Sequence, residues 1–158
     1  IEAGKCPLEV LEELKPVMAK VQEKFPQVGE GNVGVGSTIF AVKPGDGSAR
    51  EQAASCQRVL LGGANIAKEY ATKRYRSNLI NWGMVPFVTV SAPDFADDDY
   101  IFVPNIREAL EGSMVNIPAY VLGETIKPLT LAISPLTKEE KDIIRAGSLI
   151  NYNRMLKK

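Results

Sequence analysis

Ser37-Thr38-Ile39-Phe40-Ala41-Val42 runs into Pro44-Gly45-Asp46-Gly47-Ser48-Ala49-Arg50-Glu51, and a helical pattern continues from Glu51 through Leu61. An apolar run, a glycine-rich turn and a helix in that order predict a strand that hands over to a helix. Such a turn points backbone N–H groups at open space. The first N–H groups of a helix have no intrahelical acceptor and carry the positive end of its dipole. They hold anions such as carboxylates. Ser48 stands at the mouth of this turn with the Arg50 guanidinium two residues on, which suits an acidic small molecule. The same residues also read as plain architecture. Ser48 with Glu51 three positions later matches a capping box, and Gly45 and Gly47 supply positive φ for a tight turn. Gly31, Gly34 and Gly36 come before it, but neither glycine cluster completes the dinucleotide fingerprint.

Outward from that stretch the chain alternates strand and helix patterns. Towards the N-terminus, residues 26–36 read as a loop. Residues 7–25 read as an amphipathic helix on Leu8, Leu11, Val17, Met18, Val21 and Phe25, with Pro7 in its first turn and Pro16 as an internal kink. This predicts a helical extension, 1–28, packed on a domain of residues 29–158. The strand at 37–43 is expected to be buried. The helix 48–61 should stop at the Gly62-Gly63 pair. A short strand follows at 64–68, a helix at 70–82, and a strand at 84–90 in which Pro86 favours an edge or an end. After a loop at 91–99 come a strand at 100–103, a helix at 105–111, and strands at 115–123 and 129–134. Helices follow at 137–146, opened by a Thr137–Glu140 capping box, and at 148–156.

Composition bounds the function. The 158 residues suit one domain with a core of its own. Apolar residues are 45% and charged residues 24%, ordinary for a globular protein, and the net charge of zero predicts no general affinity for nucleic acid or an anionic membrane. No apolar run approaches the length of a membrane span, and no signal-peptide pattern opens the chain. The lack of Met at position 1 suggests a piece of a longer polypeptide. With no histidine, the chain cannot build a Ser-His or Cys-His nucleophile by itself. Its two cysteines, Cys6 and Cys56, form no Cys-x-x-Cys pair and are expected to be thiols in a reducing cytosol, with Cys56 packed on its helix.

Three further features invite a functional reading. Lys68, Lys73, Arg74 and Arg76 interleave with Tyr70 and Tyr75, a pattern that can bind RNA, yet Glu69 dilutes it and a solvated helix face explains it as well. Asp94, Asp97, Asp98 and Asp99 cluster without the spacing of a calcium loop and read as a solvated loop. Trp82, before Gly83, reads as core.

Several ordered blocks resemble the C-terminal swivel domain of the aconitase superfamily, which includes the small subunit of isopropylmalate isomerase. Residues 45–54 are similar to the family's Gly-Ser-Ser-Arg-Glu loop. Gly62-Gly63-Ala64-Asn65-Ile66-Ala67-Lys68-Glu69-Tyr70 follows at the expected distance, and then Arg74 through Phe87, which is similar to the family's "Asn-Leu…Gly…Leu-Pro-Leu" run. Ile144 through Tyr152 resembles the family's last helix. The resemblance implies an α/β domain of three-layer β/β/α type. It implies a hydro-lyase acting on a hydroxylated di- or tricarboxylic acid in the cytoplasm, with Ser48 as the catalytic base. Gly47, Ala49 and Arg50 would bind substrate, Arg50 by gripping a carboxylate. The 4Fe-4S cluster of such enzymes is held by three cysteines in other domains or a large subunit. This chain would therefore bind no cofactor, need that partner, and be inactive alone.

Two departures from the family pattern stand out. Ala49 replaces a second serine, which puts citrate itself in doubt, and no upstream arginine in the family's context is found in residues 1–36. Two alternatives remain open: an anion- or phosphate-binding module using the same loop, and a noncatalytic interaction domain.

Overall fold

Three strands separated by two helices build the first half of the sheet: β1 (Ser37–Ala41), α2 (Arg50–Val59), β2 (Gly62–Ala67), α3 (Lys73–Asn81) and β3 (Val85–Thr89), with α1 (Leu14–Lys24) ahead of them. The computed structural model describes residues 12, 14–29, 31–90, 94–97 and 99–157. The second half follows as β4 (Tyr100–Phe102), α4 (Ile106–Glu111), β5 (Ile117–Leu122), β6 (Ile126–Ile133), α5 (Lys138–Ala146) and α6 (Leu149–Leu156). The six strands make one ladder in the order β1-β2-β3-β6-β5-β4. β1, β2 and β3 are parallel, and each parallel step uses a helical crossover; β6, β5 and β4 are antiparallel, with a short turn between β5 and β6 and α4 between β4 and β5. Pro86 sits near the start of β3, ahead of the β6 pairing, which opens at Phe87–Ile133, so its missing N–H interrupts no rung there.

The main core lies where the helices meet the central strands. Ile66, Phe87, Ile117, Leu129, Leu131 and Ile133 from the sheet pack with Ile80, Leu110, Ile143 and Ile144 from α3, α4 and α5. The Thr137–Glu140 capping box forms in full. The Glu140 amide donates to Thr137 Oγ1 at 3.1 Å, and Glu140 Oε2 accepts from the Thr137 amide at 2.8 Å. A second cluster, Ala54, Tyr75, Leu79 and Met84, joins α2 to α3, and Trp82 packs half-buried against it. α1 lies on the far end of the sheet. Phe25, just past its C-terminus, meets Phe102 and Tyr120 at ring separations of 5.3 Å, and Lys20 Nζ donates to the Gly123 carbonyl at 2.6 Å.

Four expectations change. The helix at the N-terminus runs from Leu14 to Lys24, which puts Pro16 in its first turn, where a proline's missing N–H has no intrahelical acceptor to lose, so it forces no kink there; residues 1–11 lie outside the described residues. The helix expected at 70–82 begins at Lys73, because Thr72 caps it. β1 is not buried. It is an edge strand, with Ile39 41% and Phe40 39% exposed. The Gly62-Gly63 pair does not close α2 but opens β2; Leu61, at φ 62°, makes the left-handed step instead. Gly62 is needed there for space: a Cβ would fall 2.7 Å from the Gln57 carbonyl oxygen and 2.8 Å from Met84 Sδ.

Candidate functional site

The Gly45–Arg50 turn sits at the C-terminal end of β1, beside β2 in the parallel half of the sheet, and a set of bonds to the segment before α3 fixes it. The amides of Lys68 and Glu69 donate to the Val42 carbonyl at 3.2 and 3.1 Å, and the Ala71 amide donates to the Pro44 carbonyl at 2.9 Å. Gly45 has φ 94°, and a Cβ there would overlap the Tyr75 side chain, so only glycine lets the turn lie flat on α3. Its carbonyl accepts twice, from Arg50 Nε at 3.0 Å and from Thr72 Oγ1 at 3.1 Å. Arg50 Nη2 also donates to the Asp46 carbonyl at 3.4 Å.

Ser48, Gly47 and Ala49 are exposed and Arg50 is half-buried, so all four residues singled out in the sequence share one open turn. The capping box expected at Ser48 does not form. The N-cap is Ala49, whose side chain offers no acceptor, and Ser48 lies one residue outside the helix. Glu51, the expected partner, instead accepts from Trp82 Nε1 at 3.3 Å. Arg50, the first residue of the helix, turns back on the loop to the Gly45 and Asp46 carbonyls. The consequence is chemical: no side chain caps the first amides of α2, and Ser48 keeps its hydroxyl out of local capping. Among the described residues no carboxylate pairs with Arg50; it is held by carbonyl oxygens, and its full positive charge stays on the turn.

Beneath the turn lies a polar layer. The Tyr75 hydroxyl accepts from Gln57 Nε2 at 2.7 Å and from Asn65 Nδ2 at 3.0 Å. The Tyr70 hydroxyl reaches the Phe87 and Asn65 carbonyls at 2.9 and 3.3 Å. Burial pushes the Tyr70 phenol far above its usual range, and the neighbouring Tyr75 adds to the rise while Arg76 opposes it. Both tyrosines face inward, and Arg76 donates to the Ser134 and Pro135 carbonyls, so the basic stripe offers no stacking surface. At the rim, Glu69 hydrogen-bonds Lys43 at 2.7 Å and raises its ammonium above the ordinary lysine value.

Cys56 is exposed rather than packed: it lines an open groove between α2 and the edge strand β1, beside Ser37, Ile39 and Leu60. Among the described residues no group of three or more Cys, His, Asp or Glu gathers to hold a metal ion, and no helix is long and apolar enough to cross a membrane. Asp98 lies outside the described residues; Asp94 pairs with Lys127 at 2.9 Å, and Asp99 caps the Ala96 amide. Thr72 is the residue of the turn's frame that the sequence reading passed over. Threonine ahead of Lys73-Arg74-Tyr75 is an N-cap signal, but a helix drawn from residue 70 runs through it.

The mixed six-stranded sheet with its helices is an α/β fold, similar to the aconitase-type swivel domain. No protein-family model matches the chain, and no curated protein does. Among solved structures it is similar to a crystal structure of 3-isopropylmalate dehydratase from Methanocaldococcus jannaschii, at 27% identity and a TM-score of 0.55, over 89% of this chain and 74% of that one.

Proposed function

We propose that this chain is the mobile domain or small subunit of an aconitase-like hydro-lyase that adds water to, or removes it from, a hydroxylated di- or tricarboxylic acid. The observation that carries the reading is the open turn on which Ser48, Arg50 and the uncapped first amides of α2 stand together, in a fold similar to that of a dehydratase. Ser48 is the base that takes the proton from the carbon next to a carboxylate. A serine hydroxyl is a weak base at neutral pH, and stabilising its ionised form needs nearby positive charge and preorganised donors. Arg50 supplies the charge and grips the carboxylate; the amides at Gly47, Ala49 and Arg50 supply the donors.

The described residues do not fit a 4Fe-4S cluster, since Cys56 stands alone on α2. In this reading the cluster is carried by a partner, either other domains of the same polypeptide or a large subunit, and this chain contributes the base and the anion grip. In this reading the assembled enzyme is cytoplasmic and the isolated chain is inactive. Ala49, in place of a serine, removes one side-chain donor from the substrate's carboxylate, which favours a substrate other than citrate. The enzyme reading is preferred over a phosphate module because the turn lacks a lysine and an unbroken glycine-rich cradle. In the assembled enzyme, Ser48→Ala should lower turnover by roughly 10³-fold or more with little change in KM. Near-normal turnover in that variant removes Ser48 from the mechanism.

A further inference from the structure

We propose that Thr72 is a positioning residue for the Ser48–Arg50 turn, an inference that rests on the hydro-lyase reading above. Thr72 is 24 positions beyond Ser48 and hydrogen-bonds the turn at one carbonyl, that of Gly45. That carbonyl is the one Arg50 Nε also uses. The Thr72 hydroxyl has a single proton, which goes to Gly45, and it accepts from the Tyr75 amide at 3.2 Å. One oxygen thus caps α3 and clamps the turn.

The geometry divides the work. Tyr75 lies against Gly45 and sets how closely the turn approaches α3. Thr72 fixes the direction in which the Gly45 carbonyl points. Two donors on one carbonyl oxygen place the guanidinium at a set angle to the α3 N-terminus. If the hydroxyl is lost, Arg50 retains its bond to Gly45 but the peptide carrying that bond can rotate. Arg50 and the adjacent Ser48 then move together away from the place where a substrate carboxylate would meet them. Displacement of a substrate anchor by about 1 Å is enough to cost roughly 10²-fold in rate.

The test separates clamping from capping. Glycine is about as good an N-cap as threonine, so Thr72→Gly removes the clamp while sparing the helix start. Thr72→Ser keeps both bonds. Thr137→Gly makes the same change at the N-cap of α5, remote from the turn. In the assembled enzyme, Thr72→Gly should lower kcat/KM by about 10²-fold with a raised KM, whereas Thr72→Ser and Thr137→Gly should stay within about twofold of the parent. A Thr72→Gly variant as active as the parent overturns the proposal, and so does an equal loss in Thr137→Gly.

Amide hydrogen exchange of the full chain provides a readout that does not depend on activity. The Ala71 amide, which donates to the Pro44 carbonyl and ties the turn to the segment before α3, should exchange faster in Thr72→Gly than in Thr72→Ser. Equal rates overturn the clamp even if the hydro-lyase reading stands. Faster exchange in a protein that has no hydro-lyase activity with its partner upholds the clamp and rejects that reading instead.

Discussion

The parallel strands β1–β3 and the antiparallel strands β4–β6 share one ladder but are held in different ways. The antiparallel half relies on alternation and apolar burial. In β5 and β6, residues Ile117, Ala119, Val121, Leu129, Leu131 and Ile133 face the core on every second position, and no hydrogen-bonded side chain is needed to specify it. The parallel half buries less and hydrogen-bonds more. Its edge strand leaves Ile39 and Phe40 partly in solvent, and its interior holds Asn65, Tyr75 and Gln57 in one network. The difference has a physical basis. Apolar packing is non-directional and tolerates small shifts, whereas a hydrogen-bonded layer fixes angles. The Gly45–Arg50 turn rests on the second kind of support.

The contrast can be tested by substitution. The largest effect on stability is expected in the antiparallel half. Leu131→Ala, at a fully buried position of β6, should cost about 3 kcal/mol by urea denaturation, since the central sheet cannot collapse into the space. A loss under about 1 kcal/mol would show that this half is not tightly packed. Tyr75→Phe should come next, at about 2 kcal/mol, because it leaves the Gln57 and Asn65 amides without their acceptor. If it were neutral, the polar layer would not be what supports the turn.

Tyr70→Phe should cost about 1 kcal/mol at neutral pH, and that cost should shrink in alkali. The sign follows from linkage. Burial raises the phenol's folded-state value above its unfolded value near 10, so its stabilising effect is complete below about pH 10 and is lost as pH rises beyond it. The parent should therefore lose stability faster than Tyr70→Phe as pH rises from about 10 to about 12 in thermal melts. Parallel curves would place the phenol in contact with water. The smallest effect belongs to the edge: Ile39→Thr should change stability by less than about 0.5 kcal/mol, since the side chain is already 41% exposed. A larger loss would mean that β1 is covered in the assembled protein under the conditions of the measurement.

Much of the fold was legible because its signals are local. The order of strands and helices from 37 to 156 follows the apolar period, and the α/β swivel architecture expected from the ordered blocks is the one found. The candidate site was legible only as a stretch of chain: Gly47, Ser48, Ala49 and Arg50 stand on one open turn. Its frame was not. Gly45 meets Tyr75, and Thr72 meets Gly45, across a gap of some thirty residues that no periodicity reports. Cys56 and Ile39 looked like packing residues because apolar character alone does not say which face of an edge element remains uncovered.

Two similar patterns mark the boundary most clearly. Thr137-x-x-Glu140 and Ser48-x-x-Glu51 both predict a capping box, and only the first forms. The sequence by itself determined that a helix starts near each, since the helical period, the polar lead-in residue and the early acid are all within one turn of chain. Which residue caps it was decided only by tertiary structure. At 137 the Arg76 guanidinium meets Glu140 through Oε1 at 3.5 Å and leaves Oε2 for the Thr137 amide, so the box still closes. At 48 the Gly45 carbonyl captures Arg50, Trp82 claims Glu51, and the helix begins one residue later with its serine left over. Propensity sums over neighbours in the chain, but a hydrogen bond goes to whichever partner folding brings within about 3 Å.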